Sequence, residues 1–92
     1  MPKQIPTVFV LVSSRKQWKS FVRESVYPNN EEIPGRVLLS GGIKYLYVSE
    51  YRDLRGVRAN SILVYGTFWS ENKEPREIFD LATFNLQEYV TA

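Results

Sequence analysis

Ser13-Ser14-Arg15-Lys16 follows directly on the apolar run Thr7-Val8-Phe9-Val10-Leu11-Val12, and this placement is the chain's best opportunity for anion chemistry. Two hydroxyls, the free backbone N–H groups of a first helical turn and two cations would converge there on one phosphate or carboxylate. The same four residues also read as an ordinary helix cap followed by solvated basic side chains. A phosphate-cradling loop of the Walker A type is excluded, because it requires glycines where this chain has Ser and Arg.

A second cluster lies further along. Arg52, Arg55 and Arg58 recur every three residues around Gly56, so on a tight helical turn they would project together and grip phosphates bidentately. On an extended segment they would diverge. Tyr45, Tyr47 and Tyr51 precede them, and aromatics beside cations form the stacking platforms of single-stranded nucleic-acid binders, at about 1–3 kcal/mol per base. Glu50 and Asp53 sit in the same stretch and partly neutralise it. Exposed Tyr, Trp and Arg also dominate protein–protein hot spots. Tyr45, Tyr47, Tyr51, Arg52, Arg55, Arg58 and Trp69 therefore make an equally coherent protein-binding set. A third reading is a charged loop with internal ion pairs and a tyrosine face packed under a helix.

Catalytic chemistry is poorly supplied. The 92 residues contain neither Cys nor His, which removes thiol nucleophiles, imidazole bases and the common zinc sets. Glu31-Glu32 falls in a polar stretch, and Glu74, Glu77 and Asp80 share one helix surface at solvated spacing. Pairing Ser13 or Ser14 with Lys16 implies no oxyanion device. The expectation is a protein that is not an enzyme and needs no cofactor or metal.

Composition bounds the rest. With 43% apolar and 24% charged residues, the chain has average globular usage, and its length suits one domain over residues 1–92. A core of about two layers leaves little room for a deep multi-substrate active site. The net charge is +2, unevenly distributed: residues 1–58 hold ten Lys/Arg against five Asp/Glu, and residues 59–92 hold two against five. The longest apolar stretches, Val8–Val12 and Ile62–Tyr65, fall far short of the roughly 20 residues of a membrane helix. Without a cystine framework or an export-signal pattern, a cytoplasmic address and no membrane contact are expected.

Several elements must position these residues. Residues 7–12 are apolar on both parities, which predicts a central strand covered on both faces. Ser14 and Gln17 form an S-x-x-Q helix start, and Trp18, Phe21, Val22 and Val26 follow at the spacing of one helical face. The helix must stop by Tyr27, before Pro28. Residues 29–35 read as a loop and 36–39 as a short strand. Gly41-Gly42 supplies a hairpin turn, so residues 43–49 return antiparallel with Ile43, Tyr45 and Tyr47 on one face and Lys44, Leu46 and Val48 on the other.

Residues 50–60 read as a loop or single helical turn, and 61–65 as a second doubly apolar strand, continued by Gly66–Trp69 past a bulge. Pro75 opens a final helix that points Ile78, Leu81, Ala82, Leu86 and Tyr89 inward, with a break near 83–85. The order β-α-β-β-β-α predicts an α/β domain with a mixed three- to four-stranded sheet packed by two helices. Its strands at 7–12 and 61–65 should lie side by side and parallel. Their carboxyl ends then share the edge where open α/β sheets place ligands.

The stretch Asp53-Leu54-Arg55-Gly56-Val57-Arg58-Ala59-Asn60-Ser61-Ile62-Leu63-Val64 resembles the approach to the acidic strand of P-loop ATPases such as phage terminases and helicases. Where that family places carboxylates for magnesium and water activation, this chain has Tyr65-Gly66-Thr67, so the resemblance implies fold and not ATPase chemistry. In size and in lack of catalytic groups the chain is similar to small accessory or inhibitor proteins of phages and mobile elements. The leading expectation is a domain that occludes a protein partner's surface. The alternative is a nucleic-acid or phosphate binder using Ser13, Ser14, Arg15 and Lys16 with Arg52, Arg55 and Arg58. A homodimer through an edge strand at 43–49 is also open.

Overall fold

The computed structural model describes residues 5–26 and 35–87. Strand β1 (Thr7–Leu11) leads into α1 (Arg15–Phe21) and a wider helical turn, Val22–Val26. Strands β2 (Val37–Ser40) and β3 (Ile43–Val48) follow, then a 3-10 turn at Tyr51–Leu54, β4 (Ser61–Val64), the one-turn α2 (Phe68–Glu71) and α3 (Pro75–Phe84). Residues 29–34 of the loop expected at 29–35, the stop before Pro28, the Val26 side chain and Tyr89 lie outside the described residues.

The four strands form one mixed sheet in the order β2-β3-β1-β4. β1 is parallel to β4, with Phe9 opposite Ile62, as its two-sided apolar pattern predicts. It is also parallel to β3, with Phe9 opposite Leu46. The β2–β3 hairpin is antiparallel and turns on Gly41 and Gly42, both at the positive φ such a turn demands.

Alternation along β1 divides the core. Phe9 and Leu11 join Val48, Leu54, Phe68, Ile78 and Ala82 on the face covered by the 3-10 turn, α2 and α3. Val10 and Val12 join Trp18, Phe21, Val22 and Leu38 on the face covered by α1. The result is a three-layer α/β domain in which β1 is inaccessible from Phe9 onward. Ser14 caps α1 as its type suggests, its Oγ accepting from Gln17 N at 3.4 Å.

Two expectations require correction. Residues 43–49 are not an edge: β2 covers one side of β3 and β1 the other, which leaves β2 and β4 outermost. Gly66–Trp69 does not prolong β4. Gly66 at φ +61° turns the chain out of the sheet, and Phe68 then starts a helical turn that buries its ring completely. The two expected helices are α1 and α3, and α2, the 3-10 turn and the turn after α1 supplement them. The break expected near 83–85 is the end of α3 at Phe84, after which Leu86 makes a parallel bridge with Ala59.

Candidate functional site

β1 and β3 are neighbours, yet the chain leaves them toward opposite faces: to α1 after β1, and to the 3-10 turn after β3. A crevice opens between strand ends at such a reversal. Here it is a solvent-open cleft of about 700 Å³. Ser13, Ser14 and Arg15 line it from the start of α1, Ser49, Glu50, Tyr51 and Arg52 from the passage between β3 and the 3-10 turn, and Glu71 to Glu74 from the end of α2 and the segment after it.

Asn72 closes the floor. Its Nδ2 donates to Val12 O at 3.1 Å and to Ser49 O at 2.9 Å, so one amide bridges the ends of β1 and β3. Its Oδ1 accepts from Glu74 N at 2.9 Å, which organises the entry to α3. The β3 wall is held by Asp53, a carboxylate only 3% exposed. One oxygen accepts from Ser49 N and Glu50 N at 3.1 and 3.0 Å, and the other pairs with Arg36 at 2.8 Å.

Tyr47 links wall and core. Its ring packs on Trp18, with centroids 5.7 Å apart, and lies 5.9 Å from the guanidinium carbons of both Arg15 and Arg36. Its hydroxyl and that of Ser49 are 2.6 Å apart.

The electrostatics are balanced. Arg15, Arg52 and Lys73 face Glu50, Glu71 and Glu74 around the same opening, and Arg52 is committed to Glu50 at 2.7 Å. Ser13 Oγ lies 3.0 Å from Thr67 Oγ1, which donates to Glu71 Oε1 at 2.5 Å. With the Thr67 proton so engaged, Ser13 is the donor in the first bond. Its hydroxyl is thus tied to the acidic wall rather than to Lys16. Among the described residues, no group of three acidic side chains gathers as a metal site, and no helix is long and apolar enough to cross a membrane.

The residues singled out from the sequence are only partly gathered. Ser13, Ser14, Arg15, Tyr47, Tyr51 and Arg52 share the cleft; Lys16 is exposed and outside its lining. Tyr45 lies half-buried under α1, its ring 5.6 Å from Phe21. The arginines do not share one helical face, because the 3-10 turn ends at Leu54 and Gly56 takes φ +70°. Arg55 instead lines a smaller groove of about 260 Å³ with Tyr51, Arg52 and Leu81, and Arg58 stands exposed on the approach to β4. Trp69 is half-exposed and packed between Phe68 and Phe79, lining neither opening. Asn72 is absent from the sequence-based set, and Asp53 enters it only as a charge that partly neutralises the arginines. An Asn three residues before Pro75 is the turn-and-cap signature that would have marked Asn72.

The chain matches no family model, no curated protein and no solved structure.

Proposed function

We propose that this domain is a non-catalytic protein-binding module that docks its partner on the carboxyl rim of the sheet, with Tyr51 and Arg52 at the centre of the contact. The observation that carries this reading is the shared position of those two side chains. Both are exposed, and both line the 700 Å³ cleft and the 260 Å³ groove, so a partner filling either opening must cover them. Tyr and Arg are the residue types that contribute most at such centres.

The charge balance of the cleft supports a protein partner over a polyanion. Three cations facing three carboxylates suit a mixed surface, whereas a phosphate backbone would meet repulsion from Glu50, Glu71 and Glu74. The role is surface occlusion by a small accessory or inhibitor protein, of the kind phages and mobile elements carry, acting in the cytoplasm.

The test is capture of partners from host-cell extract by the immobilised domain, repeated with single variants and with rising salt. Retention of one protein at 200 mM salt, lost on Tyr51→Ala with at least about a thirtyfold drop in affinity, supports the reading. Recovery of nucleic acid whose binding falls by orders of magnitude between about 50 and 200 mM salt refutes it. In that case each removal among Arg15, Lys16, Arg52, Arg55 and Arg58 should weaken binding further.

A further inference from the structure

Among the described residues, none pairs with the outer edge of β2, and the hairpin's hydrogen-bonding pattern shows which groups face outward. Tyr47 N donates to Arg36 O at 2.9 Å, which makes Arg36 and Tyr47 a hydrogen-bonded pair. Bonded and non-bonded pairs alternate along an antiparallel ladder. With Val37 opposite Leu46 and Leu39 opposite Lys44, the backbone groups of Leu38 and Ser40 turn toward β3. Those of Val37 and Leu39 turn away from it.

The same two residues expose apolar side chains, Val37 at 46% and Leu39 at 59%, while Leu38 between them is buried beneath α1. Edge strands are ordinarily guarded by charge, proline or a bulge. Val37-Leu38-Leu39-Ser40 carries no charge and no proline.

We propose that β2 pairs antiparallel with β2 of a second copy of this chain, about a two-fold axis at Leu38. The strand is complementary to itself in that register. Val37 of each copy faces Leu39 of the other, so two outward N–H groups and two outward C=O groups per strand find partners, and each exposed apolar side chain meets another. Arg36 falls opposite Ser40, so no like charges meet. The product is an eight-stranded sheet whose joined Val37 and Leu39 side chains extend the apolar layer that Leu46 begins on the α2–α3 face. A four-residue strand buries little area, so the dimer forms only at high concentration. This surface is separate from the rim cleft, whose lining includes no β2 residue.

Sedimentation equilibrium of the full chain from tens of micromolar to about one millimolar spans the affinities such a contact provides. The average mass should climb from 10.7 kDa toward twice that value. Amide exchange at Val37 and Leu39 should slow in the concentrated sample. Leu39→Lys changes an exposed side chain and should weaken association at least about tenfold. Leu39→Pro removes an outward-facing donor while sparing the β2–β3 ladder, and should also hold the monomer mass. If proline unfolds the domain, the lysine variant decides alone. A wild type that stays at monomer mass throughout overturns the proposal. So does a dimer that survives Leu39→Lys, or one abolished by Tyr51→Ala at the rim.

Discussion

Tyr65, immediately after β4, donates its phenolic proton to Glu24 Oε2 at 2.5 Å across 41 residues of sequence. The bond ties the turn after α1 to the end of the sheet, and the Tyr65 ring supports it by packing edge-on against Phe21 at 5.4 Å. Hydrogen bonding to Glu24, then burial, then the carboxylate's charge push the Tyr65 pKa from 10.0 up to about 12.

The folded state therefore holds this proton more tightly than the unfolded chain does. The resulting stability is fully present below pH 10 and is lost as pH rises from 10 through about 12. Titrating phenolate absorbance should show Tyr65 ionising well above pH 10, and Glu24→Gln should return it toward pH 10. Wild type should lose stability relative to Glu24→Gln over that interval. A Tyr65 that ionises near pH 10 in the wild type would contradict the contact.

Adjacent aromatics on α2 should respond very differently to truncation. Phe68 is fully buried among Leu11, Ile78 and Ala82, whereas Trp69 is 50% exposed. Phe68→Ala leaves a cavity and should cost about 3–5 kcal/mol in urea denaturation. Trp69→Ala should cost under about 1.5 kcal/mol, since it loses only partial burial and ring contacts to Phe68 and Phe79. On a strand the alternation would give equal prominence to the opposite face, so equal costs would argue against the helical turn.

Gly66 requires its residue type for two reasons. Its φ of +61° is the left-handed conformation, and a Cβ there would overlap Gln17 Oε1. The second conflict is soft, because the amide lies at the end of a flexible side chain. Gly66→Ala should cost about 1–2 kcal/mol, mostly from the backbone, and Gly66→Asn less. Combining Gly66→Ala with Gln17→Ala should recover only a minor part of the loss. Full recovery would place the cost in the steric overlap.

What could be read from the sequence was local, or was carried by one strong pattern. Residues 7–12 are apolar on both parities because helices cover both faces of β1, and the same signal at 61–65 led to the parallel β1–β4 pair. Gly41-Gly42 encodes its turn in backbone freedom alone. The insertion of β1 against β3 was not legible, because it depends on where the chain passes after Val48 rather than on any residue in either strand. The arginine triplet was misleading for a similar reason: its three-residue spacing implies a shared face only while the turn continues, and Gly56 ends it. Thr67-Phe68-Trp69 has the composition of a strand, and only the positive φ of Gly66 redirects it. The sequence pointed to the carboxyl ends of β1 and β4, whereas the cleft lies between β1 and β3, and its acidic wall comes from Glu50, Glu71 and Glu74, the last two of which the sequence places far from Arg15.

Asn72 offers the most direct test of that cleft. Its two donated bonds hold Val12 and Ser49 together where β1 and β3 cease to pair through their own backbones, beyond the Val12 N to Val48 O bond at 2.9 Å. Asn72→Ala leaves two partly buried carbonyls without this partner and should cost about 1–3 kcal/mol. Asn72→Asp keeps the acceptor for Glu74 N but removes the donors and brings a carboxylate up to the same two carbonyls. It should cost at least as much as alanine, which separates the clasp from the turn at Glu74. Amide exchange should quicken at Ser49 and Glu50 in both variants while the β1–β4 ladder stays protected. If Asn72→Ala is neutral and exchange at the rim is unchanged, the cleft walls are held by Asp53, and Asn72 does no more than shape the turn at Glu74.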